Sequence, residues 1–190
     1  MAAKPPSSLA WARHDRRRHA YCRLYRLADG WRLSGMSVFF EQHACSLRYE
    51  VLTTSEWITR GATVEGHMAG KPISLRVQAS RAGRWRVNGE AQPRIEGCVD
   101  LDLAFTPATN LIAIKRLALK VGEGADAPAA YLDFPRLRFI VLPQTYHRVS
   151  ATEYDYASPT AGYAERLVVT REGWADEYPG VFKRVTGRER

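Results

Sequence analysis

The stretch SLRYEVL at residues 46–52 decides the fold class, because its apolar and polar side chains alternate. Leu47, Tyr49 and Val51 fall on one face of an extended chain, and the charged side chains between them fall on the other. A period of two residues is typical of a β-strand that buries one face. The stretch ISLRVQA at residues 73–79 repeats the pattern, so the sequence predicts strands that line a core on one side.

Similar runs rich in β-branched and aromatic residues continue along the chain, separated by short turns such as Asn88-Gly89, a strong hairpin signal. One short helix is predicted in NLIAIKRLAL, with Thr109 or Asn110 as its N-cap, and a weaker helical pattern covers residues 8–22. The sequence therefore predicts an all-β, mainly antiparallel protein with one or two short helices. We expect a single large β-barrel or half-open barrel of about ten or more strands, because closure removes exposed sheet edges.

The net charge of +8 is concentrated at the N-terminus. Residues 1–26 hold seven cationic side chains and one aspartate, which gives +6 and leaves +2 for the rest of the chain. The opening AKPPSS predicts disorder. We therefore divide the chain into a basic, partly disordered N-terminal arm at residues 1–26 and a single β-barrel-like domain at residues 27–187. The arm is either a solvated terminal segment or a contact for nucleic acid or an anionic membrane surface.

Targeting and redox signals point to the cytoplasm. No run of about 18 apolar residues predicts a transmembrane helix, and the N-terminal segment lacks the apolar core of a signal peptide. Three cysteines without a CxxC spacing predict neither a disulfide framework nor a zinc site. The sequence thus predicts a cytoplasmic protein with no metal and no other cofactor.

Asp100 and Asp102 stand two residues apart in the predicted strand VDLDLAF, so both point to the same face. The opposite face, with Leu101 and Leu103, is wholly apolar and is expected in the core or in a cavity. Three roles remain open for the carboxylates: pairing with arginines on an outer face, contact with a polar ligand, or acid/base chemistry or metal binding. The usual enzyme motifs, such as GxSxG, the P-loop and HExxH, are absent, so no catalytic residue is predicted.

Aromatic side chains in polar company form a second candidate site. They are Trp57, Trp85, Tyr146, Tyr154, Tyr156 and Tyr178. Tyrosine and tryptophan combine an apolar body with a polar tip, which suits a cavity whose ligand has an apolar tail and a polar head. Ordinary strand packing explains the same aromatics, because aromatic residues favour β-strands.

The segment GCVDLDLAFTPATNLIAIKRL at residues 97–117 resembles the central signature of a family of uncharacterised bacterial proteins described as glycolipid-binding. In that family a Gly-Cys pair, an Asp-Val/Leu-Asp strand, Thr-Pro-x-Thr-Asn and an Ile-Arg-Arg-Leu-like segment follow one another. The likeness covers most of the chain, through YEVLTTSEWITRGATV, GRWRVNGE, LPQTYHRV, EYDYAS and EYPGVFKRV. The sequence departs from the signature at Leu111, where a small hydroxyl residue is usual, at Ala113, where proline is usual, and at Lys115, which replaces the first arginine.

The resemblance implies a β-barrel-like fold related to bacterial carriers that hold the acyl chains of lipoproteins, and it implies a lipid-type ligand. On this interpretation, the signature is a barrel strand whose end and following turn line the mouth of a cavity. Arg116 neutralises an aspartate or binds an anionic head group. The polar residues that contact the ligand or hold the turn are Asp100, Asp102, Thr106, Thr109 and Asn110.

The sequence thus predicts non-enzymatic binding of a lipid or glycolipid-type ligand in a barrel cavity. The predicted ligand contacts are Trp57, Asp100, Asp102, Thr106, Thr109, Asn110, Arg116, Tyr146, Tyr154, Tyr156 and Tyr178. Two alternatives remain: an enzyme that acts on a lipid-like or sugar substrate with an aspartate base, and a nucleic-acid-associated protein that uses the basic arm. Nucleic acid is the weaker partner prediction, because residues 27–187 contain no basic stripe.

Overall fold

The structure is a computed structural model that describes residues 8–15 and 17–185. The first half forms these strands: β1 (Ser8–Arg13), β2 (Arg18–Leu27), β3 (Gly30–Phe40), β4 (Ala44–Thr54), β5 (Thr59–Met68), β6 (Lys71–Ala79), β7 (Trp85–Val87) and β8 (Glu90–Ala91). The second half forms the following strands and helix: β9 (Asp100–Leu103), α1 (Asn110–Leu117), β10 (Gly124–Asp126), β11 (Ala129–Asp133), β12 (Arg138–Leu142), β13 (Thr145–Arg148), β14 (Glu153–Ser158), β15 (Tyr163–Val169), β16 (Ala175–Tyr178) and β17 (Phe182–Arg184). Within these described residues, no helix has the length and apolar character needed to cross a membrane.

Fourteen strands form one antiparallel sheet in the order β10-β13-β14-β15-β16-β17-β1-β2-β3-β4-β5-β6-β7-β8. The two end strands, β10 and β8, do not pair with each other in the described part of the chain, so the sheet is curled but not closed. The prediction of a mainly antiparallel all-β protein is confirmed. Of the two predicted forms, a barrel or a half-open barrel, the closed barrel is not found, and a large curled sheet takes its place. A wide sheet curls because each strand twists against its neighbour. Its two open edges are short, with two residues in β8 and three in β10.

The alternation that predicted strands is confirmed in β4. Leu47, Tyr49 and Val51 are buried on the inner face, and the side chains between them lie on the outer face. Asn88 and Gly89 form the predicted tight turn between β7 and β8. Both have positive φ, 49° and 87°, as the type I′ turn of a two-residue hairpin requires.

The segment predicted as an N-terminal arm contributes two strands to the sheet. β1 pairs with β17 on one side and with β2 on the other, so it joins the two halves of the sheet. The weak helical pattern at residues 8–22 is wrong, because Ala20 and Cys22 are buried at strand spacing and Trp11 lies opposite Ala20. The predicted disorder concerned AKPPSS at residues 3–8; Ser8 begins β1, and the rest of this stretch lies outside the described residues, as does residue 16.

Several of the described cations of this segment are held by neighbouring side chains. Arg13 and Arg18 both bind the carboxylate of Glu41, and the guanidinium of Arg23 lies 5.0 Å from the ring centre of Tyr25. In the described residues the segment is therefore part of the folded sheet and not an extended basic arm. The nucleic-acid alternative depended on such an arm and loses that support.

The strands β9, β11 and β12 form a separate sheet in the order β12-β11-β9. β9 and β11 run parallel, because a crossover through α1 and β10 separates them along the chain. Leu101, Leu103 and Leu132 of this small sheet share one buried core with the inner face of the strands from β2 to β6. Ile114 of α1 packs instead against the second half of the large sheet, beside Leu167. The turn between β9 and α1 consequently lies between the two halves of the curled sheet.

Candidate ligand-binding site

Asp100 opens β9 with its carboxylate turned toward α1 and buried from solvent. Arg116, in the last turn of α1, holds this carboxylate with a fork of two hydrogen bonds: Nε donates to Oδ1 and Nη2 donates to Oδ2, each at 2.7 Å. Bidentate pairs of this kind are among the strongest polar contacts in proteins. Arg116 therefore neutralises Asp100, and the burial of Asp100 excludes an outer-face position for this residue.

Asp102 lies further along the same face of β9 and has different partners. Its Oδ1 accepts a hydrogen bond from Thr109 Oγ1 at 2.9 Å, and its Oδ2 accepts one from Gln144 Nε2 at 2.6 Å. No ion pair to Asp102 forms within residues 8–15 and 17–185. The two aspartates that look equivalent in the sequence thus differ in kind, since one is salt-bridged and the other is bound only by neutral donors.

The turn TPATN is held by its own threonines. Thr106 Oγ1 accepts a hydrogen bond from the backbone N–H of Ala108 at 3.3 Å and lies 3.0 Å from the hydroxyl of Tyr49. Thr109 accepts a hydrogen bond from the backbone N–H of Leu103 at 3.2 Å. It stands at the predicted N-cap position of α1 but makes no capping bond, because its hydroxyl is used by the strand.

A hydrogen-bond network continues from Asp102 into the second half of the protein. Asn110 Nδ2 donates to the hydroxyl of Tyr146 at 2.9 Å, and that hydroxyl donates to Gln144 Oε1 at 3.4 Å. Because Gln144 also donates to Asp102, the chain of contacts links the start of α1 to the end of β9. Asn110, Tyr146 and Gln144 are buried, so each polar group depends on these partners.

The protonation behaviour of the two aspartates follows from these contacts. Burial raises the pKa of the Asp102 carboxyl, and the hydrogen bonds from Thr109 and Gln144 oppose the rise only in part. Burial also raises the pKa of Asp100, where Arg116 supplies the opposing interaction, and the hydrogen bond to Asp100 raises the pKa of Arg116. Asp102 is therefore the carboxylate of this pair that has no cation to stabilise its charge.

A cavity of about 240 Å³ opens beside Asp102, between the end of β9 and the strands from β14 to β17. Asn110 and Tyr131 add further polar groups to its wall, and Phe182 adds an apolar surface. Ser158 also lines the cavity, and its buried hydroxyl has no hydrogen-bond partner among the described residues. A buried hydroxyl without a partner costs free energy, so the cavity offers a ligand one unused polar group.

Three tyrosines form one wall of this cavity. The ring centre of Tyr178 lies 5.7 Å from that of Tyr156 and 4.9 Å from that of Tyr163, both in edge-on geometry. The Tyr163 hydroxyl donates to the backbone carbonyl of Pro179 at 2.8 Å. Burial raises the pKa of Tyr156 and of Tyr178, so both phenols are neutral at physiological pH. The wall therefore combines apolar ring surface with uncharged hydroxyls.

The cavity collects part of the predicted site. Its wall includes the predicted ligand contacts Asp102, Thr106, Asn110, Tyr156 and Tyr178. Thr109 and Tyr146 stand behind the wall and are joined to it by hydrogen bonds. Asp100 and Arg116 form their own pair near the start of β9 and are not part of the wall.

Other predicted aromatics lie elsewhere. Trp57 stacks on Trp31 with 4.9 Å between ring centres, and Trp85 is a core residue whose indole N–H donates to the carbonyl of Cys98. Tyr154 packs edge-on against Tyr146 and does not reach the cavity wall. For these residues the structure shows the ordinary packing that was the alternative explanation of the aromatic pattern.

Sequence reasoning did not single out three residues of the site. Gln144 and Ser158 stand in LPQTYHRV and EYDYAS, two segments that carried the family resemblance, but neither residue belongs to a chemical motif. Tyr131 lies directly across from Asp102 in the parallel pairing of β9 and β11. That pairing joins segments far apart in the sequence, so no local pattern could reveal it.

Comparison with known proteins identifies the family. A family model described as "Putative glycolipid-binding" matches residues 8–184. The chain belongs to this family. A crystal structure of a DUF1089 family protein from Pseudomonas aeruginosa is similar, with 27% sequence identity and a TM-score of 0.77, and the match covers 97% of this chain and 96% of that one. A search of curated proteins found no match. The resemblance inferred from residues 97–117 is confirmed.

Proposed function

We propose that this protein binds a glycolipid without transforming it, and that one sugar ring of the head group occupies the cavity beside Asp102. One observation carries the proposal: a single small cavity combines a carboxylate without a cation, an unpaired serine hydroxyl and several tyrosines. The family description supports a glycolipid ligand in general terms. The geometry supports a sugar ring as the part of such a ligand that the cavity holds.

The chemistry of a sugar ring matches this wall. A sugar presents hydroxyl groups along its edge, and the Asp102 carboxylate accepts two hydrogen bonds from the protein while having capacity for roughly four. The free hydroxyl of Ser158 can donate to or accept from a second sugar oxygen. The C–H groups on the face of the ring suit the apolar bodies of Tyr156 and Tyr178.

The volume of the cavity indicates which part of a glycolipid it can hold. Pockets that enclose a whole drug-sized ligand measure about 300–1,000 Å³, whereas this one measures about 240 Å³. A long acyl chain does not fit in addition to a sugar ring. We therefore place the lipid part outside the cavity, in contrast to the acyl-chain cavity that the likeness to lipoprotein carriers implied.

Native mass spectrometry of protein purified from its own host tests the ligand class directly. We expect a bound species whose fragmentation releases a sugar. Calorimetric titration with octyl glucoside below its micelle concentration, and with octanol as the sugar-free probe, tests which part of the ligand is held. We expect heat of binding with the glucoside only.

Two variants connect this binding to the cavity. Asp102→Asn should weaken binding about tenfold or more, because hydrogen bonds to charged groups contribute about 1.5–3 kcal/mol. Asp155→Asn is the matched control, since Asp155 lies on the exposed side of the neighbouring strand β14 and does not line the cavity. Equal affinity of Asp102→Asn and the wild-type protein for the glucoside would refute the assignment.

The enzymatic alternative retains one supporting observation. Burial raises the pKa of Asp102, and a carboxylate with a raised pKa is a stronger base than an ordinary one. Incubation of the purified protein with the glycolipid identified by mass spectrometry, followed by chromatography of the product, distinguishes the two roles. Quantitative recovery of unchanged glycolipid supports binding alone, and a product absent with Asp102→Asn supports catalysis.

A further inference from the structure

The outer face of β2 and β3 carries a strip of exposed apolar side chains. Val38 and Phe40 are 52% and 56% exposed, and Met36 and Tyr21 beside them are also exposed. Met36, Val38 and Phe40 alternate with buried residues along β3, and Tyr21 of β2 lies directly opposite Met36. These four residues are hereafter the β2–β3 strip.

The strip is a concentration of apolar surface and not a random scatter. It contains four of the eight large exposed hydrophobic residues found in the described part of the chain. It also borders a shallow, open depression of about 590 Å³, whose wall includes His19, Ala44 and Ser46 in addition to Val38 and Phe40. Contiguous exposed apolar surface with a polar rim commonly marks an interaction site.

The rim of the strip is cationic. Arg17 lies beside Phe40, whose backbone N–H donates to the Arg17 carbonyl at 3.0 Å, and Arg48 lies opposite Met36 on β4. Neither guanidinium forms an ion pair within residues 8–15 and 17–185. Glu65 is the carboxylate that faces Arg48 across the strand pair, but the two do not form a salt bridge.

We propose that the β2–β3 strip docks this protein on an anionic lipid bilayer. Apolar and aromatic side chains of the strip would enter the interfacial region, where aromatic side chains are favoured. Arg17 and Arg48 would lie against anionic head groups, which attract basic side chains near the surface. The inference goes beyond the proposed binding of a sugar ring, because it uses a different face and needs no occupied cavity.

Charge argues for a bilayer over a second copy of the chain. A twofold contact would bring the same cationic rim together from both copies, and like charges across an interface are unfavourable. An anionic membrane surface neutralises the rim instead. The net charge of +8 acts in the same direction over longer distances.

Sedimentation with vesicles tests the proposal. The probe is a vesicle of phosphatidylcholine and phosphatidylglycerol without any glycolipid, so the result is independent of the sugar cavity. We expect Val38→Ser with Phe40→Ser to lower the partition coefficient about tenfold or more, because both changes remove apolar surface from the contact. Arg48→Gln should lower it about fivefold, the weight of one cation near an anionic surface. Both effects should require the phosphatidylglycerol.

Matched controls keep the test specific. Val121→Ser with Val141→Ser removes two exposed valines outside the strip and should leave vesicle binding unchanged. Asp102→Asn should also bind vesicles like the wild-type protein. Equal binding of the wild-type and strip variants, or no binding of the wild-type protein to anionic vesicles, would overturn the proposal. Light scattering that shows a dimer lost in the strip variant would assign the strip to self-association instead.

Discussion

Removal of either partner of the contact between Asp100 and Arg116 is expected to destabilise the protein strongly. The loss of stability should be larger when Arg116 is removed than when Asp100 is removed. The perturbations are Asp100→Ala, Arg116→Ala and the double variant, which together form a double-mutant cycle. The contact consists of two hydrogen bonds of 2.7 Å in a bidentate fork. It joins the first strand of the small sheet to the end of α1, so its loss affects the wall that supports the candidate site.

The magnitude follows from the burial of each partner. The side chain of Asp100 is 3% exposed and that of Arg116 is 22% exposed. Removal of one partner of a buried pair costs about 3–5 kcal/mol when the other is left without compensation. Arg116→Ala should therefore cost about 3–4 kcal/mol, because Asp100 cannot reach water. Asp100→Ala should cost less, about 2–3 kcal/mol, because Arg116 is partly hydrated once it is released.

A second ion pair of this protein provides the control. Arg166 Nε and Asp155 Oδ1 are also 2.7 Å apart, but their side chains are 48% and 53% exposed. The same cycle at this pair should give a coupling energy below about 1 kcal/mol, as for exposed pairs generally. Urea melts of all variants measure both couplings. Equal couplings at the two pairs, or a coupling near zero between Asp100 and Arg116, would refute the reasoning.

Two further predictions concern Asp102 and β1. Burial raises the pKa of Asp102, so folding favours its protonated form. The free energy of unfolding of the wild-type protein, compared with that of Asp102→Asn, should therefore be greatest below about pH 4. This difference should fall as the pH rises through the raised pKa of Asp102. Urea melts across this range measure the difference, and a difference independent of pH contradicts the assignment. A chain that begins at residue 17 should be much less stable than one that begins at residue 8, because it lacks β1, which joins the two halves of the large sheet and buries Trp11. Equal thermal midpoints for the two chains would contradict this.

Local pattern predicted the strands well, and it failed where the sheet depends on distant pairing. The alternation around Tyr49 and the Asn88-Gly89 turn depend on a few neighbouring residues, so the sequence predicts both. Whether β8 meets β10 depends on the curl of a fourteen-stranded sheet, which no local window contains. The basic composition of residues 1–26 also concealed β2, because Arg18, Arg23 and Arg26 stand within this strand and Arg18 is itself buried.

The same contrast between local pattern and contacts of distant segments applies to the candidate site. The sequence placed Asp100 and Asp102 on one face and proposed Arg116 as a partner, because strand spacing and charge are local features. It could not decide which aspartate Arg116 binds, and the structure shows that the partner is Asp100. Gln144 donates a hydrogen bond to Asp102, and only the folding of the chain brings these two distant residues together.

The contrast between the two aspartates bears on function as well as stability. A carboxylate that serves only the fold is best buried with a cation, as Asp100 is with Arg116. Asp102 is half-buried and has no cation partner among the described residues, and the unpaired hydroxyl of Ser158 lines the same cavity. Each of these features costs stability, and an apolar pair of similar size would avoid both costs. Their coincidence at one cavity is expected where a ligand supplies the missing hydrogen bonds. Bound sugar should therefore stabilise the wild-type protein more than it stabilises Asp102→Asn, because the stabilisation scales with affinity for the folded state.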